Sequence, residues 1–207
     1  MTTRCWRTVL ALVLASAGGG LLAEQAWLTA KAQLAEVLIR RAFAAHLRDG
    51  APHRPWDWAD MHPVARLEVP RLGVLRTVLT GASGSSLAFG AGHVDGTAPP
   101  NATGNCALAG HRDGSFAFLD DLRVGDDLIL RTHSGSVRYE VQDLLVTDMR
   151  DVGLLQPTED PRLTLITCYP FHGLTRSELR YVVVLRRSDF NPLRHSPGRE
   201  ALRALPA

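Results

Sequence analysis

From about Pro63 the chain alternates apolar and polar residues with the period of two that marks strands with one buried face. In Val64-Ala65-Arg66-Leu67-Glu68-Val69 the charged Arg66 and Glu68 share one face, and Val137, Tyr139 and Val141 oppose Arg138, Glu140 and Gln142 in the same way. Further strand-like runs are predicted over Leu72–Leu79, Asn105–Ala109, Asp127–Thr132, Val137–Val146, Arg162–Thr167 and Arg180–Arg187. Gly81-Ala82-Ser83-Gly84 predicts a loop, and His133-Ser134-Gly135 a tight hairpin connection. Many short strands punctuated by Gly, Pro and Asp predict an all-β fold whose sheet closes on itself, because closure removes exposed strand edges.

The first sixty residues follow a different pattern. Arg4 and Arg7 precede an uncharged run, Thr8 to Ala23, which Glu24 closes. A basic flank followed by an apolar core predicts membrane insertion with the N-terminus inside. Trp6 and Trp27 bracket the run as interfacial residues do, which favours an uncleaved signal anchor over 1–23. Ala15-Ser16-Ala17 supplies the rival reading, a signal-peptidase site after a short apolar region. From Glu24 to about Arg48, Trp27, Ala30, Leu34, Val37, Leu38, Arg41 and Ala45 recur near helical spacing. Asp49-Gly50-Ala51-Pro52-His53-Arg54-Pro55 breaks that helix. The expected organisation is therefore an anchor (1–23), a helical stalk and Pro/Trp-rich linker (24–62), a β-barrel (63–190) and a polar tail (191–207). Trp56 and Trp58 are expected to pack on the barrel exterior, and His46, His53 and His62 to be surface histidines.

Composition narrows the function classes. With 207 residues, 45% of them hydrophobic, the chain can bury one proper core but hardly two. Its formal charge is only +2, its sole lysine is Lys31, and no basic cluster is interleaved with aromatics, which excludes a nucleic-acid surface. Three cysteines, Cys5, Cys106 and Cys168, are an odd number and make no disulfide framework. Cys106 lies within a strand and is expected in the core; Cys168 ends one and is expected to be a free thiol.

Cys168 is the strongest chemical signal. Leu163-Thr164-Leu165-Ile166-Thr167-Cys168-Tyr169-Pro170 delivers it to a turn, Asn105–Ala109 leads through Gly110 to His111, and Arg180 opens the last strand. Thiol, imidazole and guanidinium suffice for acyl transfer: a thiolate attacks, a histidine protonates the departing amine, and an arginine holds the oxygen that becomes negative. His93, with Asp95 nearby, is a second active-site histidine or a loop hydrogen-bonding group. His172 is a candidate for the groove between the last two strands, and Thr167, beside the nucleophile, for oxyanion binding. Asp113 is expected to cap a turn rather than to complete a triad.

The combination of Ala109-Gly110-His111-Arg112, Thr164-Leu165-Ile166-Thr167-Cys168 and Leu179-Arg180-Tyr181-Val182-Val183 resembles the sortase signature. Gly90-Ala91-Gly92-His93 and Cys168-Tyr169-Pro170-Phe171, with the N-terminal run and the Trp-rich entry, resemble more narrowly the sortases of Gram-negative bacteria. Pro99-Pro100-Asn101 stands where the family's usual Pro-Gly is found. The resemblance implies a cysteine transpeptidase on a closed eight-stranded β-barrel, held by a single pass in the inner (cytoplasmic) membrane with its catalytic domain on the periplasmic side. It implies His111, Cys168 and Arg180 as catalytic residues and Thr167, Tyr169, His93 and His172 as substrate-binding ones. Its substrates would be proteins with a C-terminal LPxTG-like sorting signal, its second substrate an amine acceptor, and its chemistry would need no metal or organic cofactor. A monomer is expected. Two alternatives stay open: an exported cysteine peptidase that resolves the acyl-enzyme with water, and a non-catalytic peptide-binding barrel.

Overall fold

The computed structural model describes residues 2–172 and 177–189; the polar tail expected over 191–207 lies outside the described residues. Helix α1 runs from Thr2 to Asp49. Its first part, to Leu38, belongs to one compact unit, and everything from Ile39 onward to a second. In the first unit Trp6, Leu12, Val13, Leu14, Leu21, Leu22 and Trp27 are exposed.

No helix of the described residues is long and apolar enough to cross a membrane. That overturns the single-pass, inner-membrane expectation, and the composition of the run explains why. Thr8–Ala23 holds sixteen residues, which rise about 24 Å as a helix, against a hydrocarbon core of about 30 Å. Within it Ala15-Ser16-Ala17-Gly18-Gly19-Gly20 dilutes the leucines with residues that contribute almost no apolar surface. Bracketing tryptophans do not make up that deficit.

The second unit is a closed barrel of eight strands: β1 (Pro63–Val69), β2 (Val74–Thr80), β3 (Ala91–His93), β4 (Asn105–Ala109), β5 (Asp127–Thr132), β6 (Gly135–Asp148), β7 (Arg162–Cys168) and β8 (Leu179–Arg187). They close in the order β1-β2-β3-β4-β7-β8-β6-β5; the closed sheet is the one expected, but the three-residue β3 carries no alternation of its own and is absent from the runs read in the sequence. Ala65, Leu67 and Val69 of β1 point inward and join Leu108, Leu128, Leu130, Leu163, Leu165, Val183 and Leu185 in one core cluster. Two pairings are parallel, β2 with β3 and β4 with β7. Strand β6 shifts register between Val141 and Asp143, a bulge that lets one long strand pair with β5 at one end and β8 along the rest. A short helix α2 (Gly84–Phe89) occupies part of the region read as a loop.

The end of α1 packs on the outside of this barrel. Ile39 clusters with Ala59, Met61 and Leu79, and Phe43, fully buried, lies under the Arg66 guanidinium at 4.8 Å. Trp56 packs against the Ile39 cluster and meets Phe89 edge to face at 5.3 Å, whereas Trp58 is 85% exposed. The histidines also differ from the expectation of a surface set. His46 is buried, donates from Nδ1 to the Ala51 carbonyl at 2.9 Å, and meets His133 edge to face. His53 pairs with Asp49 at 2.8 Å.

His62 is half-buried, and burial first, then the charges of His46 and Arg54, hold its pKa below the usual histidine value. The native state therefore favours the neutral ring, while the unfolded chain takes up a proton near 6.5. Below that pH the unfolded state binds more protons, so the cost of His62 is absent above about pH 6.5 and grows as pH falls toward its folded pKa. The melting temperature should drop between about pH 7 and pH 5, and His62→Gln should flatten that slope. An unchanged slope in the variant would assign the drop to other groups.

Candidate active site

Strand register assembles the site. In the parallel β4–β7 ladder Ala109 stands opposite Ile166, and the Gly110 amide donates to the Ile166 carbonyl at 3.1 Å, so the same offset sets His111 level with Cys168. In the antiparallel β7–β8 ladder Cys168 is the direct partner of Arg180. Three adjacent strands thus place imidazole, thiol and guanidinium at one end of the barrel. All three side chains line a single cavity of about 820 Å³, together with Arg112, Asp113, Met149, Ser177 and Glu178.

Local contacts fix this geometry. Thr167, buried beside the thiol, donates its hydroxyl at 2.7 Å to the Gly110 carbonyl. That bond ties the residue before Cys168 to the residue before His111. Arg112 Nη1 donates at 2.7 Å to the Pro170 carbonyl and joins the two loops from the other side. Gly110 is required by space: a Cβ there would stand 2.6 Å from Cγ of Phe116 and 2.7 Å from Oγ of Ser115. Arg180 is held by donation from Nη1 to the carbonyls of Leu179 (2.9 Å) and Ser177 (3.1 Å).

The two described thiols have opposite environments. Cys106 is sealed in the core, where burial pushes its pKa up to about 12; at neutral pH it is an inert apolar group. Cys168 is half-buried, free of any disulfide, and opens on the cavity.

The residues expected to bind substrate are dispersed. Tyr169 stacks on Tyr181 at 6.2 Å and meets Phe171 edge to face, forming an aromatic platform behind the thiol strand. His93 pairs in register with Leu108, and its Nε2 lies 2.9 Å from the Ala98 carbonyl and 3.3 Å from the Thr97 hydroxyl. These contacts match a loop-fixing group, and His93 is absent from the described cavity lining. The His172 side chain is 93% exposed, with Nε2 3.4 Å from an Asp120 oxygen. Met149, Ser177 and Glu178 line the cavity without any sequence signal, because they reach it through the β6–β8 pairing and the Met149 amide bond to the Glu178 carbonyl. Asp113 also faces the cavity. Among the described residues no three His, Cys, Asp or Glu side chains are grouped to hold a metal ion.

A sortase-domain profile matches residues 67–188, more than half of the chain and the whole of the site. The protein belongs to the sortase family. Sortase D of Bacillus subtilis (strain 168) is 30% identical over 122 residues, which cover 58% of this chain and 62% of that protein. This sortase therefore spans less than two thirds of that relative's length. Among solved structures, sortase A from Corynebacterium diphtheriae is 26% identical with a TM-score of 0.58, over 68% of this chain and 66% of that one. Sortase A from Listeria monocytogenes is 28% identical with a TM-score of 0.54, over 60% of this chain and 86% of that one.

Proposed function

We propose that this sortase is a cysteine transpeptidase with Cys168 as nucleophile, His111 as acid and base, and Arg180 as the oxyanion or substrate-backbone ligand. The barrel expected over 63–190 is its catalytic unit. The observation that carries this reading is the register that makes Cys168 and Arg180 cross-strand partners, level with His111, on one open cavity.

Cys168 attacks the carbonyl of the scissile peptide bond, that of the threonine in an LPxTG-like sorting signal. The developing negative oxygen is held by Arg180. As the C–N bond breaks, His111 gives its proton to the departing glycine amine, leaving a thioacyl enzyme. An incoming amine then attacks the thioester and loses a proton to His111, and the C–S bond breaks to free Cys168. Neither half-reaction calls for a cofactor. Thr167 supports the reaction by fixing the spacing of the Cys168 and His111 backbones, and Tyr169 by backing the thiol strand. His93, tied to Ala98 and Thr97, and His172, exposed beside Asp120, take no part in these steps. The segments Gly90-Ala91-Gly92-His93 and Cys168-Tyr169-Pro170-Phe171 favour the Gram-negative branch of the family.

Intact-mass measurement of the full chain with an LPxTG-containing peptide tests this reading. The expected result is a thioacyl adduct that an added primary amine discharges as a transpeptidation product. Discharge only by water would make the protein a peptidase, and peptide binding without an adduct would make it a binding module.

A further inference from the structure

The register that pairs Arg180 with Cys168 also makes Arg180 the cross-strand partner of Thr147 on β6. Met149 follows directly on the end of that strand and lines the Cys168 cavity. Its backbone is pinned there. The Met149 amide donates to the Glu178 carbonyl at 2.6 Å, and Nη2 of the next residue, Arg150, donates to a Glu178 carboxylate oxygen at 3.3 Å. The half-exposed Met149 side chain then reaches the Arg180 guanidinium, with Sδ 4.0 Å from Nη2.

A guanidinium has five N–H donors. Nη1 of Arg180 directs its two at the carbonyls of Leu179 and Ser177, which fixes the plane of the group. For the three on Nε and Nη2, the one acceptor among the described residues is the Met149 sulfur. Three carboxylates stand close by in the chain, and each is turned to other donors. Asp148 accepts from the Arg150 amide, Asp151 from the Thr147 hydroxyl and the Gly153 amide, and Glu178 from Arg150. Arg180 therefore meets the cavity without an ion pair among the described residues. A thioether is a weak, polarizable acceptor that packs against a cation and competes little for its protons.

We infer that Met149 is a positioning residue for Arg180, an inference that rests on the transpeptidase reading above. Met149 holds the Nη2 edge of the guanidinium at the cavity wall and yields it to the scissile carbonyl oxygen as that oxygen becomes negative. A charge-assisted bond to an oxyanion is about twice as strong as a neutral one, so exchanging sulfur for oxygen favours the transition state. A side-chain carbonyl or carboxylate in the same place would keep Nη2 for itself and remove one donor from the oxyanion site.

Single-turnover formation of the thioacyl adduct, followed by intact mass on the full chain over a range of LPxTG-peptide concentrations, tests the assignment. In Met149→Gln the amide oxygen extends about 1.2 Å past the sulfur position, which brings a strong acceptor within hydrogen-bond distance of Nη2. Met149→Leu keeps an apolar side chain and has no acceptor. The position is half-exposed, so both variants keep the fold, as melting curves will verify. The limiting acylation rate should fall about tenfold or more in Met149→Gln and about threefold in Met149→Leu, with little change in the half-saturating peptide concentration. In an Arg180→Gln background, followed to longer times, neither substitution should make a further difference, because Met149 acts through the guanidinium. Equal losses in the two variants, a loss confined to peptide binding, or a Met149→Gln effect that persists without Arg180 would overturn the role of Met149 and leave the transpeptidase reading intact. Absence of an adduct on the wild type would overturn both.

Discussion

Cys168→Ala is expected to lower acyl transfer by at least about 10⁴-fold and to leave no thioacyl adduct at any pH. Removing the sulfur takes away the atom that forms the covalent bond, and no other described thiol can replace it. Cys106 is buried beside Leu163 in the β4–β7 ladder, with its pKa pushed up to about 12, so it neither ionises near neutral pH nor reaches the cavity. The same substitution should change stability by no more than about 1 kcal/mol, because the side chain is half-buried at a strand end. Intact mass and thermal melting on one sample separate the two effects. A surviving adduct on the alanine variant would place the nucleophile elsewhere and dismantle the proposed chemistry.

Gly110→Ala is expected to damage fold and activity together. The new methyl group would stand 2.6 Å from Cγ and 2.9 Å from Cδ2 of Phe116, whose ring is fully buried and packed edge to face on Phe118. The ring has no free space to enter, so the backbone of Gly110 must yield. Overpacking of this kind costs about 1–3 kcal/mol, which for a chain of this size lowers the melting temperature by several degrees, at about 2–4 °C per kcal/mol. Displacement of the Gly110 backbone also strains its carbonyl bond from Thr167 and its amide bond to Ile166. Because those bonds set His111 against Cys168, turnover should fall about 100-fold, the scale on which a displacement near 1 Å acts. Chemical-shift or crystallographic comparison with wild type, alongside kinetics, checks the cause. Full activity with an unshifted melting curve would mean that the loop accommodates the methyl group freely.

Much of the barrel was legible because its signal is local. Strand period two, the Gly and Pro punctuation and the hairpin at His133-Ser134-Gly135 all follow from side chains within a few residues of each other, and the β5–β6 hairpin forms there. The order Ala-Gly-His, Thr-Cys and Arg also pointed to one end of the barrel, where the three strands bring those residues together. What escaped is set by distant pairings. Met149 and Glu178 reach the cavity only through the β6–β8 ladder, and the burial of His46 depends on where the end of α1 meets His133. Helix α2 was missed because Gly84-Ser85-Ser86 carries turn-forming residues; Ser86 donates instead to the Thr80 carbonyl at 2.6 Å and helps anchor the short helix. The membrane span failed on quantity: the flanks were right for insertion, but alanine and glycine supply too little hydrocarbon per residue.

The parallel pairing of β4 with β7 also governs when the thiol becomes useful during synthesis. Fifty-seven positions separate His111 from Cys168, and β8, which carries Arg180, is wedged between β7 and β6 in the closed ring. Contacts so far apart along the chain form late, so a nascent polypeptide still emerging from the ribosome holds a cysteine with neither of its partners in place. Under the proposed chemistry, the thiol therefore gains its imidazole and guanidinium partners only once β8 is inserted between β7 and β6.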